Sequence, residues 1–199
     1  MKKKSSRIAR TRTRLLSTAG ELFRSQGFHA TGLDQILRRS RTPKGSLYHY
    51  FPGGKDELSI EAVRYMAGVT KEAMAAIFSS ACDPLAALTA LFESNATMLL
   101  ISDFRNGCPI AAITLDVASS QQAIREACEQ GFDTLLELLV EHLKRAGLSA
   151  ARAKALATVV FAALEGALIL CRAKRSIEPL TTIERELAIL IQLSIVAQA

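Results

Sequence analysis

The sequence predicts an all-α protein of about nine helices. A three-helix amino-terminal domain at residues 1–55 is followed by a larger helical domain at 56–199. Three observations predict this. Apolar residues recur at spacings of three and four through most of the chain. No stretch alternates apolar and polar residues as a half-buried strand would. Glycine or proline interrupts the periodic runs at Gly27, Pro52 to Gly54, Pro84, Pro109, Gly147 and Pro179. With 49% of its 199 residues hydrophobic, the chain can bury a sizeable core, which excludes disorder for most of its length.

The first helix is expected from Arg7 to Gln26, with Ile8, Leu15, Ala19, Leu22 and Phe23 on its inner face. Gly27 is placed to stop it in a left-handed cap. Its other face carries Arg7, Arg10, Arg12, Arg14 and Arg24, and MKKKSS before it reads as a flexible basic arm. Thr31 with Asp34 three positions on has capping-box spacing for a second helix, whose apolar face is Leu33, Ile36 and Leu37. Ser40 and Arg41 end it. Thr42 is then expected to cap a third helix with Pro43 at its first position, where a missing N–H costs nothing. Leu47 and Phe51 give that helix an inner stripe. With Leu47 inward, Gly45, Ser46, Tyr48 and His49 turn away from the core and Lys44 stands at the exposed amino end. Two short helices joined by a tight basic link form a helix-turn-helix. An outer face that is small, hydroxylic, aromatic and basic suits a DNA major groove.

PGGKDEL breaks the chain and restarts it in a long fourth helix reaching about Ser80. Asp56 and Glu57 suit its positive amino end; Lys55 does not, and a phosphate partner would explain it. Pro84 opens a fifth helix to about Ser102, DFRNGCP is a loop, and Pro109 begins a short apolar helix ending near Ser119. A seventh helix from Gln121 to Ala146 carries Glu129, Asp133, Glu137 and Glu141 along one edge. Like charges stacked at that spacing repel, so they are read as a solvated face rather than a metal site or paired catalytic acids. Ser149 caps an eighth helix to about Lys174, and the ninth runs from about Thr181 to the end. Between Ala155 and Cys171 the only charge is Glu165. That run is short for a bilayer and reads as a buried or dimer-forming helix. The last two helices are apolar around much of their circumference, which places Leu164, Leu168, Leu187, Leu190 and Ile191 at an expected dimer interface.

Charge is divided unevenly. Residues 1–57 hold 13 Lys or Arg against four acids, a balance of +9, and the remainder holds 12 against 15, a balance of −3. The basic quarter implies a polyanion and the rest implies none. Cys82, Cys108, Cys128 and Cys171 include no C-x-x-C pair, so neither a disulfide framework nor a zinc site is expected, and reduced thiols in the cytoplasm are the default. The basic start runs into RIARTRTR, which is not a secretory signal. His29, His49 and His142 are isolated, expected respectively in a turn, on the third helix and on an exposed helix. Without a nucleophile–base arrangement, phosphate loop or metal-spaced cluster, the chain is not read as an enzyme, and no cofactor or metal is expected.

A basic first helix, TGLDQIL, the turn SRTPKGSLYHYF and a lysine at the start of a long fourth helix together resemble the DNA-binding domain of the TetR family of bacterial transcriptional regulators. Three residues, Pro52, Gly53 and Gly54, separate Phe51 from Lys55, where the commonest family pattern has two. That FPGGKDEL form, with NGCP at 106–109 and ALEGALILCRAKRS, is similar to the LmrA/YxaF-type subgroup. The resemblance implies a homodimer that binds a pseudo-palindromic operator on double-stranded DNA and releases it when a small molecule enters the larger domain, which would serve ligand binding and dimerisation. Carried over by position, Lys44, Gly45, Ser46, Tyr48 and His49 would face the groove, and Tyr50, Lys55 and Thr31 would meet phosphate. Thr42 completes the expected DNA-binding set. The expected ligand pocket lies between the fourth and seventh helices, with Phe92, Met98, Phe104, Phe132 and Phe161 as walls and Asn95 and Thr114 as polar contacts, which suits a hydrophobic inducer. A dimeric DNA-binding protein without a small-molecule switch is the alternative.

Overall fold

The structure is a computed structural model that describes residues 2–117 and 121–197, with side chains from residue 9 onward. Among the described residues the regular structure is entirely helical: α1 (Lys2–Gln26), α2 (Leu33–Ser40), α3 (Lys44–Tyr50), α4 (Gly54–Ser80), α5 (Pro84–Ile101), α6 (Pro109–Val117), α7 (Gln122–Arg145), α8 (Ala150–Lys174) and α9 (Glu178–Val196). They form two compact units, Met1–Gly68 with Pro109–Gly131, and Val69–Cys108 with Phe132–Ala199. The expected boundary at residues 55 and 56 falls at the start of α4. Both α4 and α7 contribute residues to each unit.

In the first unit α1 begins at Lys2, so the stretch expected to be a flexible arm is helical. Leu15, Leu16, Ala19, Leu22 and Phe23 are buried and pack α1 on α2 and α6. Gly27 (φ +84°) ends α1, its N–H donating to the Phe23 carbonyl at 2.9 Å. Gly20 admits Met66 of α4, since a Cβ there would lie 2.6 Å from the Met66 Cγ. Two expected caps are not formed. The residue before α2 is Gly32, with no side-chain cap, because the Thr31 hydroxyl donates instead to the Gly27 carbonyl at 2.7 Å. That carbonyl is one of those left open at the end of α1, and Thr31 satisfies it. Likewise Pro43, not Thr42, precedes α3, and the Thr42 hydroxyl donates to the Ser40 carbonyl at 3.2 Å.

The second unit is built on α5, α8 and α9, which pack on one another. Asp83 caps α5, its Oδ1 accepting from the Leu85 and Ala86 N–H groups at 2.8 Å each. Ser149 caps α8, as expected, accepting from Arg152 N at 3.4 Å. The Arg152 guanidinium donates to Ser194 Oγ of α9 at 2.7 and 3.2 Å. α9 starts at Glu178, ahead of the expected Thr181, because Pro179 opens the helix rather than breaking it. The expected end of α6 near Ser119 lies outside the described residues.

Packing of α8 on α9 changes the expected dimer face. Leu164, Leu168, Leu187 and Ile191 are 5%, 3%, 5% and 2% exposed within a single subunit, and Leu190 is half-buried. The four buried residues hold the chain's own core and have almost no surface left for a second copy. The apolar side chains these helices leave uncovered are Val159, Ile169 and Leu170 on α8 and Ile189, Leu193 and Val196 on α9.

Candidate nucleic-acid interface

The face that α3 turns outward is set by what it buries. Leu47 and Phe51 are 0% exposed, and with Ile36 and Leu37 of α2 they fix the rotation of the helix. Lys44, Gly45, Tyr48 and His49 are consequently exposed, Tyr48 at 45%, while Ser46 and Tyr50 are half-exposed. His49 meets Tyr50 edge-on with ring centroids 5.1 Å apart. A Cβ at Gly45 would touch nothing within 4 Å. The glycine leaves this part of the outer face without a side chain. Around this face Arg10, Arg14, Arg38 and Arg41 are exposed, and Arg39 sits 3.6 Å from Glu21.

Six of the nine expected contacts thus share one surface; Thr31, Thr42 and Lys55 do not. Thr31 is fully buried and Thr42 nearly so, their hydroxyls bonded as described, with Gln26 Nε2 (3.2 Å) and the Arg14 guanidinium (3.5 Å) as further donors to them. Lys55 donates its Nζ to the Phe28 carbonyl at 2.8 Å and lies over the Phe28 ring at 4.0 Å from the centroid. Burial lowers its pKa, against the opposing pull of Asp56 and Asp116. The lysine at the positive end of α4 thus has an internal carbonyl and ring as partners. Arg12, expected to face outward, is half-exposed and has partners within the subunit: it pairs with Glu61 at 2.6 Å and lies over the Phe51 ring at 5.6 Å.

A residue that the sequence did not single out, Asp116, holds the turn between α1 and α2. Asp116 Oδ2 of α6 accepts from the N–H of Phe28 at 2.7 Å and of His29 at 3.3 Å, in the turn between α1 and α2. His29 Nε2 is 3.1 Å from the Asp116 carbonyl, so this nitrogen carries the proton. A Cβ on Gly27 would come 2.7 Å from Asp116 Oδ2, so the glycine is required by contact as well as by φ. The sequence signal was a lone carboxylate in the apolar run IAAITLDVA.

The expected pocket residues are less unified. Phe132 and Phe161 meet edge-to-face at 5.9 Å, Phe92 is buried, and Met98 is half-buried. Phe104 has the Arg175 guanidinium 5.7 Å from its ring, Asn95 Nδ2 donates to the Leu91 carbonyl at 2.9 Å, and Thr114, in the other unit, donates to the Ile110 carbonyl at 2.8 Å. A groove of about 520 Å³ between α7 and α8 is lined by other residues, among them Asp133, Glu137, Lys144 and Lys154. In the same unit Glu165 is largely buried with its pKa raised by desolvation, partly offset by a hydrogen bond from the Cys108 thiol. His142 is half-buried rather than exposed, stacked on Phe78 at 4.4 Å, and burial lowers its pKa. Glu129, Asp133, Glu137 and Glu141 are all exposed.

Residues 15–62 match the family profile described as bacterial regulatory proteins, tetR family. Residues 84–186 match transcriptional regulator LmrA/YxaF-like, C-terminal domain. The HTH-type transcriptional regulator LmrA of Bacillus subtilis is 34% identical over 85% of this chain and 90% of its own. YxaF of the same organism, an uncharacterized HTH-type transcriptional regulator, is 31% identical over 92% and 95%. Among solved structures, regulatory protein TetR from Rhodobacter sphaeroides superposes with a TM-score of 0.80 at 23% identity, covering 88% of this chain and 95% of that one. Reduced NemR of E. coli superposes at 0.75 with 22% identity, covering 89% and 95%. These last two show likeness of fold.

Proposed function

Because the chain belongs to the TetR family of bacterial transcriptional regulators, with a carboxy-terminal domain of the LmrA/YxaF-like kind, we propose that it is a repressor released from a pseudo-palindromic operator by a small hydrophobic effector. It is a DNA-binding regulator and not an enzyme. The observation that carries the switch is the Asp116 tie. α6 belongs to the stretch matched by the carboxy-terminal profile, yet it shares a compact unit with α1, α2 and α3 and bonds the turn between the first two. Any ligand that prefers one placement of α6 therefore also prefers one placement of the DNA-reading helices. Differential affinity for two states is all that a population shift requires.

In this reading Lys44 pairs with guanine O6 and N7, Ser46 and Gly45 let the helix approach base edges, and Tyr48, His49 and Tyr50 meet the groove wall and phosphate. Two subunits join through the uncovered apolar residues of α8 and α9, setting two α3 helices about 34–36 Å apart, one turn of DNA. Phe92, Met98, Phe104, Phe132 and Phe161 wall the effector site, with Asn95 as a polar contact. The protein acts in the cytoplasm, where its operator is.

The test is selection of bound genomic fragments, followed by a screen of hydrophobic compounds on the protein–DNA complex. A compound that both raises the melting temperature and releases the selected fragment is expected. If no compound does both, the protein is a constitutive binder. Tyr48→Ala and Lys44→Ala are expected to abolish or greatly weaken binding while shifting stability by only about 0.5 kcal/mol, as exposed substitutions do. Wild-type affinity in either variant removes α3 as the reading helix.

A further inference from the structure

Among the described residues, four that are not glycine adopt a positive φ: Arg41 (+51°), Asp103 (+53°), Phe104 (+58°) and Arg175 (+51°). A residue with a Cβ disfavours this conformation, because the Cβ comes too close to the following carbonyl oxygen; glycine does not. A residue held there against that preference points to a use for its side chain. For three of the four the use lies within the subunit. Arg175 closes α8, its guanidinium paired with the Asp103 carboxylate and 5.7 Å from the Phe104 ring.

Arg41 closes α2 with the same backbone geometry, φ 51° and ψ 43°. Its N–H donates to the Arg38 carbonyl at 3.2 Å, and the N–H of Thr42 donates to the Leu37 carbonyl at 3.0 Å. These bonds satisfy carbonyls left open at the end of α2 and turn the chain into α3. They use backbone alone. The turn requires the left-handed conformation, which glycine would supply at less cost, and nothing in it requires an arginine. Among the described residues the Arg41 side chain is exposed and has no carboxylate, carbonyl or ring as partner.

An unpartnered cation kept in a disfavoured conformation implies an anion from outside the subunit. Between Asp34 and Asp56 the chain carries Arg38, Arg39, Arg41, Lys44 and Lys55 and no acid. Glu21 lies near Arg39, and the Phe28 carbonyl holds Lys55. Arg38, Arg41 and Lys44 are left exposed. Lys44 opens α3 three residues after Arg41, so their Cα atoms lie within about 11 Å of each other. A helix that reads a major groove is flanked by the sugar–phosphate backbone, and that backbone is the anion within reach of the turn.

We propose that Arg41 binds a DNA phosphate beside the groove that α3 faces, and that the arginine is kept in the turn at a cost in stability. This rests on the DNA-binding reading of α3 and adds a residue outside the set assigned above. A phosphate contact sets affinity and its salt dependence while carrying no sequence information.

The experiment measures binding of full-length protein to the selected fragment and to a random-sequence duplex across a salt series, with melting of the same protein without DNA. Arg41→Gly is expected to melt about 2–4 °C higher than the wild type. Its slope of log affinity against log salt is expected to fall by about 0.9 per subunit on both duplexes, the share of one phosphate contact. Its preference for the selected fragment is expected to stay unchanged. Arg41→Lys keeps the charge and is expected to keep the wild-type slope, as is Lys154→Gln, which removes a charge on α8. A wild-type slope in Arg41→Gly overturns the proposal, and so does a melting temperature that does not rise. A changed preference between the duplexes overturns it too, since that marks a base contact. An equal loss of slope in Arg41→Lys or in Lys154→Gln has the same consequence. If Lys44→Ala loses binding while Arg41→Gly keeps the slope, Arg41 alone falls; if the wild type binds neither duplex, the DNA reading falls with it.

Discussion

Replacing Asp116 by alanine deletes the acceptor that joins α6 to the turn after α1. The bond to Phe28 N is short, at 2.7 Å, and part-buried, and its acceptor is a carboxylate. A hydrogen bond to a charged group contributes about 1.5–3 kcal/mol. The second bond, to His29 N at 3.3 Å, is long and exposed, and water replaces it at small cost. The sum is about 2 kcal/mol, which in a protein of this size lowers the melting temperature by about 4–8 °C. Asp116→Asn keeps an acceptor oxygen without its charge and is expected to lose roughly half as much. Amide hydrogen exchange reads the bond directly. A loss of 2 kcal/mol corresponds to exchange at Phe28 faster by about 30-fold. The reasoning fails if Asp116→Ala melts with the wild type and leaves Phe28 exchange unchanged. The turn would then be held by something else, and α6 would have no grip on the DNA-binding helices.

Glu165→Gln is expected to raise stability more at pH 8 than at pH 5. Burial raises the folded-state pKa of this carboxyl, so its favourable contribution is fully present below the unfolded value and is lost as pH rises through the folded one. Melting curves whose difference from wild type is the same at both pH values would refute this. Ile189→Glu with Leu193→Glu, both on the uncovered face of α9, is expected to give folded monomers by light scattering with weakened DNA binding; an intact dimer moves the interface elsewhere. Leu168→Ala, by contrast, opens the core between α8 and α9 and is expected to cost about 2–5 kcal/mol. A melting temperature within a degree or so of wild type would show that Leu168 is not core after all.

The α3 face was legible in the sequence because two apolar residues at i, i+4, Leu47 and Phe51, suffice to orient a short helix. The internal partners of Thr31, Thr42 and Lys55 escaped the sequence for a shared reason. Each stands at a helix start, where local rules assign a cap or a phosphate, yet each bonds a carbonyl outside the helix it was assigned to start: Gly27, Ser40 and Phe28. Asp116 was invisible because its partner is 88 positions away. In α8 and α9, Leu168 stands beside Ile169 and Leu170, and Ile191 close to Ile189 and Leu193. Periodicity cannot rank faces when several are apolar, so only packing revealed which one the subunit keeps.

The two faces of α3 also divide the labour of change. Leu47 and Phe51 are committed to the interior, whereas space beyond Gly45 is empty. A side chain introduced at Gly45 meets no neighbour that must repack. Substitution at this position can thus change the outer face at little cost to folding, while the core stays as it was.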